Sequence, residues 1–165
     1  TQLNAGGVQF PVADGTAGQI LATDGAGNLD YVTPAVAQTS GTWTASLGGS
    51  TGEPGTLITE TGYWTKSGDL IMAAVFFANV DTTGYAGAVS VTGLPFTCKN
   101  TPAAPFMGIV HNNGMISTAS GEAIPIVNKN TTTMGFVESG VANSLSWGTV
   151  GAGRYMRVQV FYMPE

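Results

Sequence analysis

Leu70 to Val80 reads LIMAAVFFANV, eleven residues without a charge and apolar at all but one position. A strand that is apolar on both faces is one covered from two sides, so this segment reads as the centre of a packed sheet. It is too short to cross a membrane as a helix, which takes about 20 residues. Turn-formers bound it, Gly68-Asp69 before and Asp81 to Gly87 after. Outward from it, Gly, Asn, Pro and Thr clusters recur about every ten residues, and no stretch holds a clean helical period. The spacing predicts strands at Thr42 to Leu47, Leu57 to Thr65, Asp69 to Asn79, Ala88 to Thr92 and Ala104 to His111. Further strands are expected at Met115 to Thr118, Glu122 to Asn128, Thr132 to Glu138 and Tyr155 to Met163. In the last of these, Met156, Val158, Val160 and Tyr162 form a uniformly apolar face. Tyr155, Arg157, Gln159, Phe161 and Met163 form a mixed one, which reads as an interface or a partly wet surface. Residues 41–165 are therefore expected to form an antiparallel β-sandwich or jelly roll.

The first forty residues read differently. Asp14-Gly15 and Asp24-Gly25, ten residues apart, signal turns between short strands near Val8 to Ala13, Gln19 to Thr23 and Asn28 to Thr33. Three such strands carry too few apolar residues to close a core, so this β-meander needs a partner surface, which neighbouring copies of the chain would supply. Thr33-Pro34 through Ser40 reads as a linker, placing the expected domains at 1–40 and 41–165.

Composition narrows the function. The chain has 165 residues, only 9% of them charged, 43% hydrophobic, and 24 glycines, where an average protein is about 25% charged. Five basic residues and a net charge of −5 leave no basic stripe for phosphates, which excludes duplex nucleic acid as an expected partner. The lone Cys98 forbids an internal disulfide and fits folding in a reducing compartment. No basic-then-apolar leader opens the sequence, and membrane insertion is not expected. Sheets this poor in Lys and Glu lack the usual guards on exposed edges. Something must cover those edges, and the composition favours a symmetric assembly, expected to be a homotrimer.

The stretch VADGTAGQILATDGAGNLDYV, Val12 to Val32, resembles the "DG-x-AGQ-x-L-x-TDG-x-GNL" segment of tail-fibre proteins of tailed bacteriophages. GTWTASLGG at Gly41 to Gly49, TGYWTKSGDLI at Thr61 to Ile71 and VSVTGLPFT at Val89 to Thr97 are similar to the "GTWTP … G-x-Y-x-K-x-G-N-L-V … V-x-I-x-GLPF" series of their C-terminal domains. Trp64 after Tyr63, and Asp69 where Asn is frequent, depart from that pattern. The resemblance implies a trimeric β virion protein, with an intertwined shaft-like opening and a globular tip that meets the host surface. It implies no particular receptor, and localisation would be the virion tail fibre, assembled in the host cytoplasm. Its partners would be a host polysaccharide or outer-membrane receptor and other tail proteins. The alternative is a purely structural virion trimer, in a baseplate or on a capsid.

Catalytic readings find little support. His111, the only histidine, sits beside Asn112, Asn113 and Gly114 in a turn and reads as structural or solvated. Cys98 reads as a small packed residue rather than a nucleophile. One His and one Cys make no transition-metal set, and turn chemistry explains Asp14 and Asp24 better than calcium does, so neither metal nor cofactor is expected. Glycoside hydrolysis needs two carboxylates about 5–10 Å apart; Glu60, Asp69, Asp81, Glu122 and Glu138 are present, and no spacing among them marks a converging pair. The expectation is attachment without catalysis. Sugar binding is the sharper reading, since aromatic faces stack on pyranose rings while amides satisfy the hydroxyls. The candidates are Tyr85 and Trp147, with Asn112, Asn113, Asn128, Asn130 and Asn143 as polar partners. Trp147 as a core plug is the competing reading, whereas Trp43, Tyr63 and Trp64 lie in strand patterns and read as core or subunit interface.

Overall fold

The computed structural model describes residues 4–33, 38–100, 106–119, 121–140 and 143–165, and all regular structure in them is β. Two compact units divide the chain, Thr1–Ala37 and Gln38–Glu165. Positions 34–37 of the expected linker, and the first two residues of the strand expected from Ala104, lie outside the described residues.

In the first unit β1 (Asn4–Ala5) pairs with β2 (Val8–Gln9), and β3 (Ile20–Thr23) pairs with β4 (Leu29–Val32). A single parallel bridge, Gln9 to Asn28, ties the two hairpins. Asp24-Gly25 opens the β3–β4 loop as its turn chemistry predicts. The Asp24 Oδ1 accepts the N–H groups of Ala26 at 2.7 Å and Asn28 at 3.1 Å, and Oδ2 accepts the Asn28 amide at 2.7 Å. These bonds, led by the Asn28 side chain, hold the Asp24 carboxyl below its usual range. Asp14-Gly15 does something else: the Tyr31 ring lies against Gly15, where a Cβ would collide with it.

The second unit is a closed eight-stranded barrel. Its strands are β5 (Thr39–Gly49), β6 (Thr59–Ser67), β7 (Leu70–Val80), β8 (Val89–Thr92), β9 (Phe106–Asn112), β10 (Ala123–Val127), β11 (Thr133–Glu138) and β12 (Arg154–Tyr162). Around the barrel they run β5-β6-β7-β12-β9-β10-β11-β8 and return to β5, every pair antiparallel. Two antiparallel meanders, β5-β6-β7 and β9-β10-β11, are therefore joined by β12 on one side and β8 on the other. This differs from the expected sandwich or jelly roll, and the reason is long-range. β9 meets β10 only through Met107↔Ile126 and Phe106↔Val127, and that short seam turns two sheets into one. Closure also removes the free edges that the charge-poor sequence appeared to leave, so the edge argument for a trimer falls away. The segment Met115 to Thr118, expected as a strand, makes only an isolated bridge from Ile116 to Trp147.

An eight-stranded barrel is just wide enough for side chains to fill it. Trp43, Ile71, Phe77, Val91, Phe136, Met156 and Tyr162 do so, each stabilising the fold by roughly 1.5–3 kcal/mol or more through burial. Two tryptophans are seated by glycines on the neighbouring strand. Trp43 pairs with Gly62 and Trp64 with Gly41, and a Cβ on either glycine would strike the indole. Gly68, at φ +57, opens the two-residue turn between β6 and β7. Near its end β7 carries one extra residue, since Arg154 pairs with Val80 while Met156 pairs with Phe77. Asn79, at φ 53, occupies this bulge in the left-handed conformation that Asn tolerates.

Candidate functional site

The strand directions sort the connections between the barrel's ends. One end carries residues 50–58, 81–88, 113–119, 121–122, 139–140 and 143–153, the other holds the start of β5, the Gly68-Asp69 turn, residues 93–100, residues 128–132 and the C-terminus. At the first end the loops are stitched together by their backbones. Trp147 N–H donates to Gly87 O at 2.9 Å, Gly148 N–H to Met115 O at 2.7 Å, and Ala86 N–H to Gly52 O at 2.9 Å. Thr82, fully buried, adds a further tie. Its N–H donates to Gly151 O at 3.0 Å while its hydroxyl accepts the Gly151 N–H at 3.0 Å. The described exposed groups of this platform include Asp81, Thr83, Ser117, Thr118, Asn143, Ser146 and Thr149. Asp81 accepts from the Thr83 hydroxyl at 2.7 Å and the Thr83 N–H at 3.0 Å. Those bonds, the hydroxyl first, keep its carboxyl below the usual range and charged at neutral pH.

The two candidate aromatics are core, and Trp147 is the core plug of the competing reading. Tyr85 and Trp147 are 3% and 8% exposed and stack on each other with ring centroids 4.7 Å apart at 29°. The Tyr85 hydroxyl accepts the Ile58 N–H at 2.9 Å, and the Trp147 indole N–H donates to Gly48 O at 3.3 Å. Burial pushes the Tyr85 phenol up. Both rings plug the loop-bearing end of the barrel, so neither offers a face to a ligand. The asparagines are divided between the two ends. Asn112 caps a turn by accepting from Gly114 N–H and Ile116 N–H. Asn113 donates its amide to Gly153 O and accepts the Tyr155 N–H. Both are committed to the loops, and Asn143 is exposed at the same end. Asn128 and Asn130 lie at the other end in the β10–β11 turn, where Asn130 holds φ 56 and donates its N–H to Cys98 O. Cys98 itself is buried, and its burial pushes the thiol up. Asp69 and Asp81 flank β7 at opposite ends, about 35 Å apart by strand rise, too far for a hydrolytic pair within one chain.

A second feature lies on the barrel's flank. Outward residues of β6, β7, β12 and β9 align in rows: Tyr63, Ala74, Gln159 and Ile109 in one, with Phe76, Arg157 and His111 beside them. Among the described residues of the barrel unit, eight of the ten large apolar side chains that are exposed belong to this flank: Tyr63, Leu70, Met72, Phe76, Met107, Ile109, Phe161 and Met163, the other two being Leu57 and Val150. Tyr63 and Ile109 stand 68% and 69% exposed. Between them the short Ala74 and the Gln159 floor leave a hollow of about 590 Å³, walled also by Phe76, His111 and Arg157. The Arg157 guanidinium sits 4.4 Å from the centre of the Phe76 ring, and His111 leans on Tyr155 at 5.5 Å. The sequence marked Tyr63 as core or interface and the outward face of β12 as mixed. It did not show that β7's second apolar face would remain uncovered within one chain. No protein-family model matches the sequence, and none of the curated proteins matches it.

Proposed function

We propose that this chain is the tip of a bacteriophage tail fibre, attaching the particle to the host bacterial surface by multivalent binding and without chemistry of its own. The observation that carries the reading is the polarity of the barrel's ends. Four connections gather at one end into a rigid, hydrogen-bonded platform of hydroxyls, amides and a carboxylate, while the chain enters the barrel at the opposite end. Binding loops held by a rigid scaffold are where recognition concentrates. The motif resemblance of both the opening segment and the barrel supports the same reading. Residues 1–40 serve as the intertwined shaft of a homotrimer, and the barrel takes the place of the sandwich tip. Because Tyr85 and Trp147 are core, the receptor, a host glycan or an outer-membrane protein, is met by polar loop groups. Weak contacts suffice, since three linked sites raise avidity by orders of magnitude.

Adsorption competition tests this. Excess purified protein blocks attachment of the parent particle, and alanine at Asp81, Thr83 and Thr149 relieves the block; a protein that never competes overturns the reading. The exposed apolar flank favours a second reading, a structural virion component that contacts only viral proteins. Under it, competition fails while the protein still enters particles.

A further inference from the structure

We infer that the outer face of β6, β7, β12 and β9 is a self-association surface, on which a second copy of this chain seats its own β6–β9 flank. Folding within one chain does not require this face to be apolar. The barrel interior is filled by the inward residues of the same strands, and barrel closure leaves no strand edge through which copies could pair. Whatever the two-stranded sheets of the first unit do, contact between barrels must therefore run through an outer face or an end. At their fractional exposures the eight large apolar side chains present on the order of 700 Å², near the ~800 Å² that each partner contributes to a stable interface and above the ~300–600 Å² of a typical monomer's largest patch.

The relief of the face is what selects a second copy. Tyr63 and Ile109 are ridges at the two sides, and the hollow over Ala74 and Gln159 lies between them. One surface thus carries both the knob and the hole that a copy of itself would need. Charge agrees. Arg157 is the one charged residue lining the hollow, and it is already laid over Phe76, so two such faces meet without stacking unshielded like charges. In a closed ring the β6–β7 half of one copy meets the β12–β9 half of the next, so the face is buried across two contacts that each take about half of that area from a copy. Only the number of copies, three, rests on the tail-fibre reading.

Sedimentation of the full chain at micromolar concentration tests the face. Wild-type protein runs as an assembly, and Ile109→Asp or Tyr63→Asp weakens association by roughly a hundredfold or more, because a charge is forced into a dry contact. Thr44→Asp, on the opposite wall, leaves the mass unchanged. Circular dichroism melts separate loss of association from loss of fold, and both flank residues are exposed enough that the barrel tolerates the change. Wild-type protein of single-chain mass overturns the inference. So does an assembly that survives both flank substitutions; if that assembly still competes for adsorption, the attachment reading stands while this face is excluded.

Discussion

The wall made by β6, β7, β12 and β9 and the wall made by β5, β8 and β11 bury the same kind of side chain and expose different kinds. Inward, Ile71, Phe77 and Val158 on the first wall meet Trp43, Val91 and Phe136 on the second. Outward, the first presents Tyr63, Phe76 and Ile109, whereas the second presents Thr42 and Thr44, with Ser90, Thr92 and Val137 half-buried. Packing constrains only the inner face of a barrel strand. The outer face is free to be polar, and hydroxyl-bearing Thr and Ser keep β-propensity while remaining wetted. An apolar outer wall is therefore a separate requirement, and it points to contacts that a single chain does not make.

Neighbouring phenylalanines on β7 give the largest expected effect. Phe77 is fully buried and Phe76 is 42% exposed. Phe77→Ala leaves a cavity in the barrel and costs about 3–5 kcal/mol, read as a lower denaturant midpoint. Phe76→Ala costs an unassembled barrel no more than about 1 kcal/mol, the scale of an exposed cation–π contact, and instead weakens association. Equal losses of stability would erase the distinction between the two faces. Next comes a glycine pair. A Cβ on Gly108 of β9 would drive into the Gln159 backbone, so Gly108→Ala prises β9 from β12 at a cost of about 3 kcal/mol. On the other wall a Cβ at Gly135 would find its nearest neighbour, the Asn128 amide, at 3.9 Å. Gly135→Ala is expected to be neutral or to stabilise slightly by restricting the unfolded chain.

Much of the barrel is legible in local pattern. The alternation from Tyr155 to Met163 assigns inside and outside correctly along β12. The doubly apolar Leu70 to Val80 reads as a strand covered from two sides, yet Leu70, Met72 and Phe76 on the outer face of β7 are exposed. Closure is not legible, because it rests on the brief pairing of Met107 and Phe106 with Ile126 and Val127, a contact between distant segments that no local period encodes. The burial of the candidate aromatics is hard to read from sequence for a related reason. Tyr85 and Trp147 lie among Gly, Thr and Ser, the composition of wet loops, yet the two loops fold onto each other and bury the rings in a mutual stack. Thr82, polar and buried, was invisible for the same cause: its partner Gly151 comes from the far side of the sequence.

The interior common to both walls sets an alkaline limit. Tyr162 is fully buried with its hydroxyl oxygen accepting the Phe96 N–H at 3.3 Å, and burial pushes its phenol up to about 12. The folded state favours the neutral phenol, so its stabilising contribution is complete below the unfolded value near 10 and is lost as pH rises toward 12. The loss is at most about 3 kcal/mol. Tyr162→Phe removes this pH dependence, and a thermal melt series from pH 8 to about 12 reads it. An unchanged alkaline slope in that variant would assign the titration to another group.

The smallest effect belongs to Asp81, which lies on neither wall. Its carboxylate is exposed and bonded only within its own turn, to the hydroxyl and N–H of Thr83. Because those bonds depress its folded value, the stabilisation they bring is present above the unfolded carboxylate range, near pH 4, and disappears as pH falls through the folded value. Asp81→Asn therefore melts slightly below wild type at neutral pH, and the two curves converge in acid. Association is unaffected, because the turn stands at the loop-bearing end rather than on the apolar flank. Were Asp81→Asn to change the assembly mass, copies would be meeting through the loop platform, and the contrast between the two walls would no longer explain where the chain associates.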